Sequence, residues 1–181
     1  DQVHRVIGPP MQLVATELLA ERGRTDAAAY DELVTRFRAA IEKVEVVQAV
    51  AYDGIVDVVR AVHATGRRMA IVTSKPMQSA VRVLPALGIA ELFVHVEAPD
   101  ATQHEPKPVT MARAAAVLQI NPKDTVMIGD RHHDVDAATS EGIATIGVTW
   151  AAHASRHELE QAGAAAIADT PAQLRTLLTS V

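Results

Sequence analysis

The apolar positions of residues 1–50 recur at the spacing of α-helices. Two stripes have this spacing: Leu13, Val14, Leu18 and Leu19, followed by Leu33, Phe37, Ile41 and Val44. Gly23 is expected to end the first helix, and Asp31 is expected to cap the start of the second by accepting a backbone N–H. The pattern therefore predicts an all-helical segment over residues 3–49.

From about residue 51 the pattern changes to short apolar runs that alternate with amphipathic segments. Strands are predicted at 69–72, 92–96, 125–128, 144–148 and 165–168, and helices at 56–62, 77–87, 108–118, 135–141, 157–162 and 171–178. Strands that alternate with helices form parallel sheets through right-handed crossovers. Residues 51–181 are thus predicted to form an α/β core, separate from the helical segment 1–50.

The composition narrows the function classes. With 181 residues, 49% of them apolar, the chain can bury a core of ordinary size. The net charge of −5 and the lack of a basic run argue against nucleic-acid and anionic-membrane partners. The apolar runs are too short to span a bilayer. The absence of cysteine excludes disulfides and thiol nucleophiles and fits a cytoplasmic protein.

Two carboxylates follow the predicted strand 125–128. Gly129 is expected to let the backbone turn sharply, which places Asp130 at the carboxyl end of the strand, and Asp134 follows four residues later. Carboxylate oxygens one loop apart suit a hard divalent cation such as Mg²⁺. The alternative is structural: a turn aspartate followed by an aspartate that caps the next helix.

Two further polar groups follow other predicted strands. Thr73 and Ser74 end the strand 69–72, and Lys107 precedes the helix after the strand 92–96. Because parallel strands end at one edge, these groups are expected to meet the carboxylates in one crevice. Hydroxyl and N–H donors, a cation and a metal site together suit a phosphate group. Taken alone, Thr73 and Ser74 could be turn residues with no role in binding, and Lys107 could be a surface lysine.

These segments resemble motifs of the haloacid dehalogenase superfamily of phosphohydrolases, in the phosphoglycolate phosphatase-like branch with a small helical cap. The matching segments are Ile-Val-Thr-Ser-Lys-Pro at 71–76, Lys-Pro at 107–108 and Ile-Gly-Asp-Arg-His-His-Asp at 128–134. The resemblance implies a Rossmann-like, three-layer parallel core over residues 51–181 and a helical cap over residues 1–50. It also implies Mg²⁺-dependent hydrolysis of a small phosphorylated metabolite, and it makes no prediction of the oligomeric state.

The resemblance also implies a role for each residue. Thr73 would hydrogen-bond the transferring phosphoryl group together with the backbone N–H of Ser74. Lys107 would neutralise the nucleophile and the phosphate. Asp130 would bind Mg²⁺ directly, and Asp134 would support the metal's water shell or orient Lys107.

The nucleophile of the family is the exception. It belongs to an Asp-x-Asp-Gly-Thr motif on a central first strand between the strands that end at Thr73 and Asp130, and residues 1–181 lack this motif. The chain is therefore expected to be a fragment, with the nucleophile upstream of residue 1 and an aspartyl-phosphate intermediate in the intact enzyme. Asp53, in Tyr-Asp-Gly-Ile at 52–55, is interpreted as a helix-start residue.

Other functions remain open at this point. A regulatory domain of the same fold would bind phosphate without turning it over, and a phosphomutase or a phosphonate hydrolase would share most of these residues. A phospho-accepting receiver is disfavoured because its acids would precede its threonine and lysine in sequence. His132, His133, His153 and His157 invite a zinc site, in which His153 and His157 would share a helix face at i, i+4 spacing.

Overall fold

The computed structural model describes residues 11–99 and 105–179. The chain divides into two compact units, Asp1–Ala49 and Val50–Val181. No helix in the described ranges is long and apolar enough to cross a membrane.

The described part of the first unit contains two helices that contact each other, α1 (Met11–Ala20) and α2 (Ala27–Gln48). Asp26 caps α2, because its side chain accepts the backbone N–H of Ala29 at 2.8 Å. The predicted cap, Asp31, is wrong: it lies inside the helix. Three alanines precede Tyr30, and their high helix propensity extends α2 toward the N-terminus until an aspartate in extended conformation stops it.

The second unit alternates strands and helices. Its strands are β1 (Ala70–Val72), β2 (His95–Glu97), β3 (Val126–Gly129), β4 (Ala144–Val148) and β5 (Ala166–Ala168). Its helices are α3 (Ile55–Ala64), α4 (Met77–Ala86), α5 (Lys107–Leu118), α6 (His132–Ser140), α7 (Arg156–Ala162) and α8 (Pro171–Thr179). Every strand pair among the described residues is parallel, so the predicted parallel α/β fold is confirmed.

Two boundaries differ from the pattern in ways that matter for function. The predicted strand 92–96 is displaced: residues Ala90–Leu92 form a 3₁₀ turn, and β2 starts at His95 and extends to Glu97. Helix α6 begins at His132, three residues before the predicted start at 135. His132 and His133 therefore lie in the first helical turn rather than in a loop.

The described strands form two sheets. Strand β1 pairs with β2, and Val72 lies opposite Glu97. The order in the other sheet is β3-β4-β5, and Gly129 lies opposite Gly147. Within the described ranges, the second edges of β1 and β3 have no strand partner, and Val126 and Ile128 of β3 remain 39% and 37% exposed. This is the position at which the resemblance places a central strand.

A shared core connects the two sheets. Its buried members are Met111, Ala137, Ala138 and Ile143. Val72 at the end of β1 and Met127 in β3 both pack against it. The core therefore joins α5 and α6 to the ends of β1 and β3, which are the strands that carry the predicted site.

Candidate functional site

The loop after β3 is shaped by the contact between Gly129 and Asp134. A Cβ atom on Gly129 would lie 2.2 Å from the Cβ of Asp134 and 2.6 Å from its Oδ2. The backbone φ of Gly129 is not positive, so the glycine is not needed for a left-handed turn. Glycine is therefore needed at this position for a different reason from the expected sharp turn: only glycine leaves room for the carboxylate beside the strand.

The carboxylate of Asp134 is buried, with 4% of the residue exposed, and both of its oxygens are bonded. Oδ2 accepts the backbone N–H groups of Asp130 at 2.9 Å and Arg131 at 3.1 Å. Oδ1 accepts a hydrogen bond from the Lys107 ammonium. The Lys107 side chain is only 16% exposed. A nearly dry ion pair therefore fixes the start of α5 against the start of α6.

The Asp130 side chain is more exposed to solvent than that of Asp134. Its Oδ2 lies 2.8 Å from Nε2 of His153, and the two side chains are 30% and 27% exposed. His153 precedes α7, which starts at Arg156, so His153 and His157 do not share a helix face as the zinc alternative required. The histidine instead approaches Asp130 from the segment after β4, a tertiary contact that the sequence pattern does not indicate.

The Glu158 side chain on α7 binds to the start of α6. The sequence pattern does not predict this contact. Its Oε1 accepts from Arg131 Nε at 2.8 Å and from the backbone N–H of His132 at 2.9 Å, and it lies 2.6 Å from His132 Nδ1. Burial raises the pKa of Glu158, but the hydrogen bonds from His132 and Arg131 outweigh it and lower the pKa to about 2. The Ser155-x-x-Glu158 spacing is typical of a helix start, and the Ser155 Oγ accepts the Glu158 N–H. The spacing does not show that the Glu158 carboxylate binds to the neighbouring helix α6 instead of its own.

Thr73 and Ser74 lie at the end of β1. The backbone N–H of Thr73 donates to the carbonyl of Glu97 at 3.0 Å, which continues the ladder between β1 and β2. The Thr73 hydroxyl accepts the backbone N–H of Lys75 at 3.0 Å. Ser74 is exposed. The Thr73 side chain therefore closes its own turn, and its hydroxyl proton remains available to a further acceptor.

A second network of hydrogen bonds and ion pairs involves Glu97 and Glu105, which precede Lys107 in the sequence. Glu97 at the end of β2 accepts from Arg113 Nε at 2.8 Å, and Arg113 also donates to Glu105 at 2.6 Å. The Thr110 hydroxyl donates to the other oxygen of Glu105 at 2.7 Å. Burial raises the pKa of Glu97, but the hydrogen bonds from His95 and Arg113 leave it below its usual value. These contacts anchor the segment that delivers Lys107.

The structure thus brings three of the predicted residues into one hydrogen-bonded cluster: Lys107, Asp134 and the loop that carries Asp130. Thr73 and Ser74 lie at the end of the other sheet, where Thr73 hydrogen-bonds with Lys75 and Glu97; the preceding residue, Val72, packs against the same buried core as Met127 of β3.

Similarity to known proteins decides the family. Residues 1–148 match the model of the haloacid dehalogenase-like hydrolases. The chain belongs to this family. The resemblance drawn from Thr73-Ser74, Lys107-Pro108 and Gly129-Asp130 is therefore confirmed, and so is the prediction of a hydrolase of the phosphatase type.

Three similar proteins illustrate the range within the family. The chain is 29% identical over 158 residues to pyrophosphatase PpaX of Anoxybacillus flavithermus, which covers 87% of this chain and 70% of that protein. It is 33% identical over 151 residues to tyrosine-protein kinase PtkA of Mycobacterium tuberculosis; the match covers 83% of this chain but only half of that protein. The crystal structure of a predicted phosphatase from Clostridium acetobutylicum superposes with a TM-score of 0.88 at 24% identity, covering 99% of this chain and 82% of that chain, which shows the shared fold.

Proposed function

We propose that the edge formed by Thr73, Lys107 and Asp130 binds the phosphoryl group of a small phosphorylated metabolite and, with Mg²⁺, positions it for hydrolysis. The observation that carries the proposal is the buried Lys107–Asp134 pair beside Asp130. A cation held at a fixed point with little water around it is suited to stabilising the charge of a phosphoryl group during transfer.

Lys107 is the fixed cation of this site. Its ammonium group has three N–H donors, of which Asp134 takes one, so two remain for phosphate oxygens. The buried pair keeps the long lysine side chain from sampling other rotamers. Substrate binding then requires little reorganisation on this side of the site.

The carboxylates fit a hard divalent cation unequally. Both oxygens of Asp134 are already bonded within the protein, whereas Asp130 is partly exposed and its Oδ2 contacts only His153 among the described residues. Asp130 would therefore hold Mg²⁺ directly, and Asp134 would act through Lys107 and the loop. When bound, Mg²⁺ would neutralise phosphate charge and polarise the phosphorus–oxygen bonds.

The end of β1 supplies neutral donors. The Thr73 hydroxyl and the backbone N–H of the exposed Ser74 would donate to phosphoryl oxygens. The attacking group in this proposal is the aspartate carboxylate that the family resemblance implies. Its oxygen would form a bond to phosphorus as the leaving oxygen departs, and water would then hydrolyse the resulting aspartyl-phosphate.

The proposal is tested with the full-length protein, Mg²⁺, and a panel of inorganic pyrophosphate and small phosphate monoesters, with released phosphate as the readout. Asp130→Asn should lower kcat/KM at least about 100-fold, because it removes the charged metal ligand. Asp53→Asn changes an exposed aspartate at the start of α3 and should leave activity unchanged. Unaltered turnover by Asp130→Asn would remove this residue from the proposed metal site.

The similarity to a protein named as a tyrosine kinase supports a second candidate, phosphoryl transfer to a protein hydroxyl instead of water. The same cation and donors would serve that reaction, since only the final acceptor differs. Transfer of ³²P from a labelled nucleotide to a tyrosine-containing peptide would favour this candidate over hydrolysis. Phosphate binding without turnover of any substrate would instead indicate a regulatory domain.

A further inference from the structure

A cluster of potential metal ligands lies on the surface of α6, outside the contacts described for Lys107 and Asp134. It consists of His132, His133 and Asp136, and one ligating atom of each lies within 4.8 Å of the others. The His132 and His133 rings are adjacent, with centroids 3.7 Å apart. His133 and Asp136 are exposed, and His132 is partly buried.

The helix geometry separates this cluster from the buried carboxylate. Successive residues of an α-helix are rotated by about 100°, so positions 132, 133 and 136 fall within an arc of about 100°. The buried positions Asp134, Val135, Ala137 and Ala138 occupy the rest of the circumference. The cluster and Asp134 therefore point in different directions from the same helical turn.

The contact between His132 and Glu158 prepares the histidine for a metal. If the Nδ1 proton is donated to Glu158 at 2.6 Å, the lone pair of the neutral ring is on Nε2. Carboxylates that accept the second ring N–H of a histidine are a regular feature of metal sites, because they fix the tautomer and the ring orientation.

An open surface cavity beside His132 and Asp136 leaves space for an ion and its water. Its volume is about 390 Å³, and it is lined by His132, Asp136, His157 and Glu158 together with Ser155, Gln161 and Ala162, but not by His133. His157 thus faces the same space and offers another imidazole. Two or three nitrogen donors and one carboxylate suit a borderline divalent ion of the zinc, cobalt and nickel class, whereas Mg²⁺ prefers oxygen donors alone.

We propose that His132, His133 and Asp136 form a second metal site that binds a divalent ion of the zinc class, with an open coordination position toward the cavity. A tetrahedral ion with bonds of about 2.0–2.2 Å spaces its ligands by about 3.3 Å, so the exposed side chains close on the ion by small rotations. The site is separate from the proposed phosphoester site, because it uses none of the residues Thr73, Lys107, Asp130 and Asp134.

The test is a titration of the full chain with Co²⁺ in excess Mg²⁺, followed by the visible absorption of the bound cobalt. One equivalent should give ligand-field bands that Zn²⁺ abolishes by competition. His133→Ala and Asp136→Asn each remove one of three ligands and should raise the Kd at least 10-fold. Glu158→Gln should weaken binding about 10-fold through the orientation of His132.

Two controls make the result specific. His63→Ala removes an exposed histidine on α3 and should leave the Kd unchanged, and so should Asp130→Asn, which alters only the proposed Mg²⁺ site. The far-UV circular dichroism of His133→Ala and Asp136→Asn should match the parent, because both side chains are exposed. Absence of the cobalt bands in the parent chain, or a Kd in both ligand variants that equals the Kd of the parent, would overturn the proposal.

Discussion

The ends of β3 and β1 hold their polar groups very differently. After β3, the Asp134 carboxylate is buried and accepts hydrogen bonds from two backbone N–H groups and from Lys107. After β1, the Thr73 hydroxyl accepts one hydrogen bond from the backbone N–H of Lys75 in its own turn, and Ser74 is exposed. One side of the proposed site is thus built into the core, whereas the other lies on the surface.

The difference suggests a division of work. Charged groups must be held in place before the substrate arrives, because fixed charges stabilise a transition state without reorganisation. Neutral donors on a short turn can adjust to the bound phosphate at small cost. Changes at the end of β3 should therefore reduce both stability and activity, whereas changes at the end of β1 should reduce activity alone.

The largest effect is expected from Asp134→Ala. The substitution leaves the Lys107 ammonium buried without its partner, and breaking such a pair costs about 3–5 kcal/mol. Urea denaturation measures the loss. The double variant Lys107→Met with Asp134→Ala should recover part of it, since no unpaired charge remains. Asp136→Ala, two residues along on the exposed side of α6, should cost less than about 1 kcal/mol. A similar loss in both single variants would refute the contrast between the two sides.

A smaller effect is expected at Glu158. Its carboxyl has a pKa of about 2 in the folded chain, against an ordinary value of 4.5. Because the folded pKa is lowered, the stabilisation is complete above about pH 4.5 and is lost as the pH falls from 4.5 toward 2. The shift corresponds to roughly 3 kcal/mol as an upper bound, and partial exposure reduces this to about 1–2 kcal/mol.

Glu158→Gln should therefore lower the unfolding free energy at pH 7 and flatten its decline between pH 4.5 and pH 2, as followed by chemical denaturation at a series of pH values. Glu160→Gln is the matched control, because Glu160 is an exposed residue of the same helix. Parallel pH profiles for Glu158→Gln and the parent would show that the hydrogen bonds of Glu158 to Arg131 and His132 do not contribute to the pH dependence of the unfolding free energy.

The smallest change in stability, with a clear change in activity, is expected for Thr73→Val. Valine keeps the shape but removes the hydroxyl, and the Lys75 N–H that it leaves is at the surface, so stability should change by less than about 0.5 kcal/mol. Loss of a donor to the phosphoryl group should reduce kcat/KM by about 10–100-fold. Thr73→Ser should restore most of the activity. A destabilised Thr73→Val protein would contradict the view that this turn is functional only.

Much of this arrangement could be predicted from local patterns. Strand β4 has the predicted bounds, because a buried run of apolar and small residues between turns leaves little ambiguity. Lys107, Asp130 and Asp134 could be placed near each other because parallel strands end at one edge. Asp26 was missed as a cap because Asp31 satisfies the same local rule, and only the alanines between them decide where the helix starts.

The remaining errors have a common physical cause. Glu158 and His153 reach the site from α7 and from the segment before it, and no local spacing records which distant carboxylate or imidazole will arrive there. Contacts of this kind are set by the tertiary fold, which a residue pattern does not contain.

The close approach of Gly129 and Asp134 also limits how the sequence can change. A methyl group at position 129 would occupy space that the Asp134 side chain already fills, and no residue smaller than aspartate carries a carboxylate. The two positions are therefore expected to be strongly coupled: a side chain at position 129 would meet the Cβ of residue 134 at 2.2 Å as well as its carboxylate, so removing the acid alone would not make room for it. An evolutionary path that keeps the acid must keep the glycine.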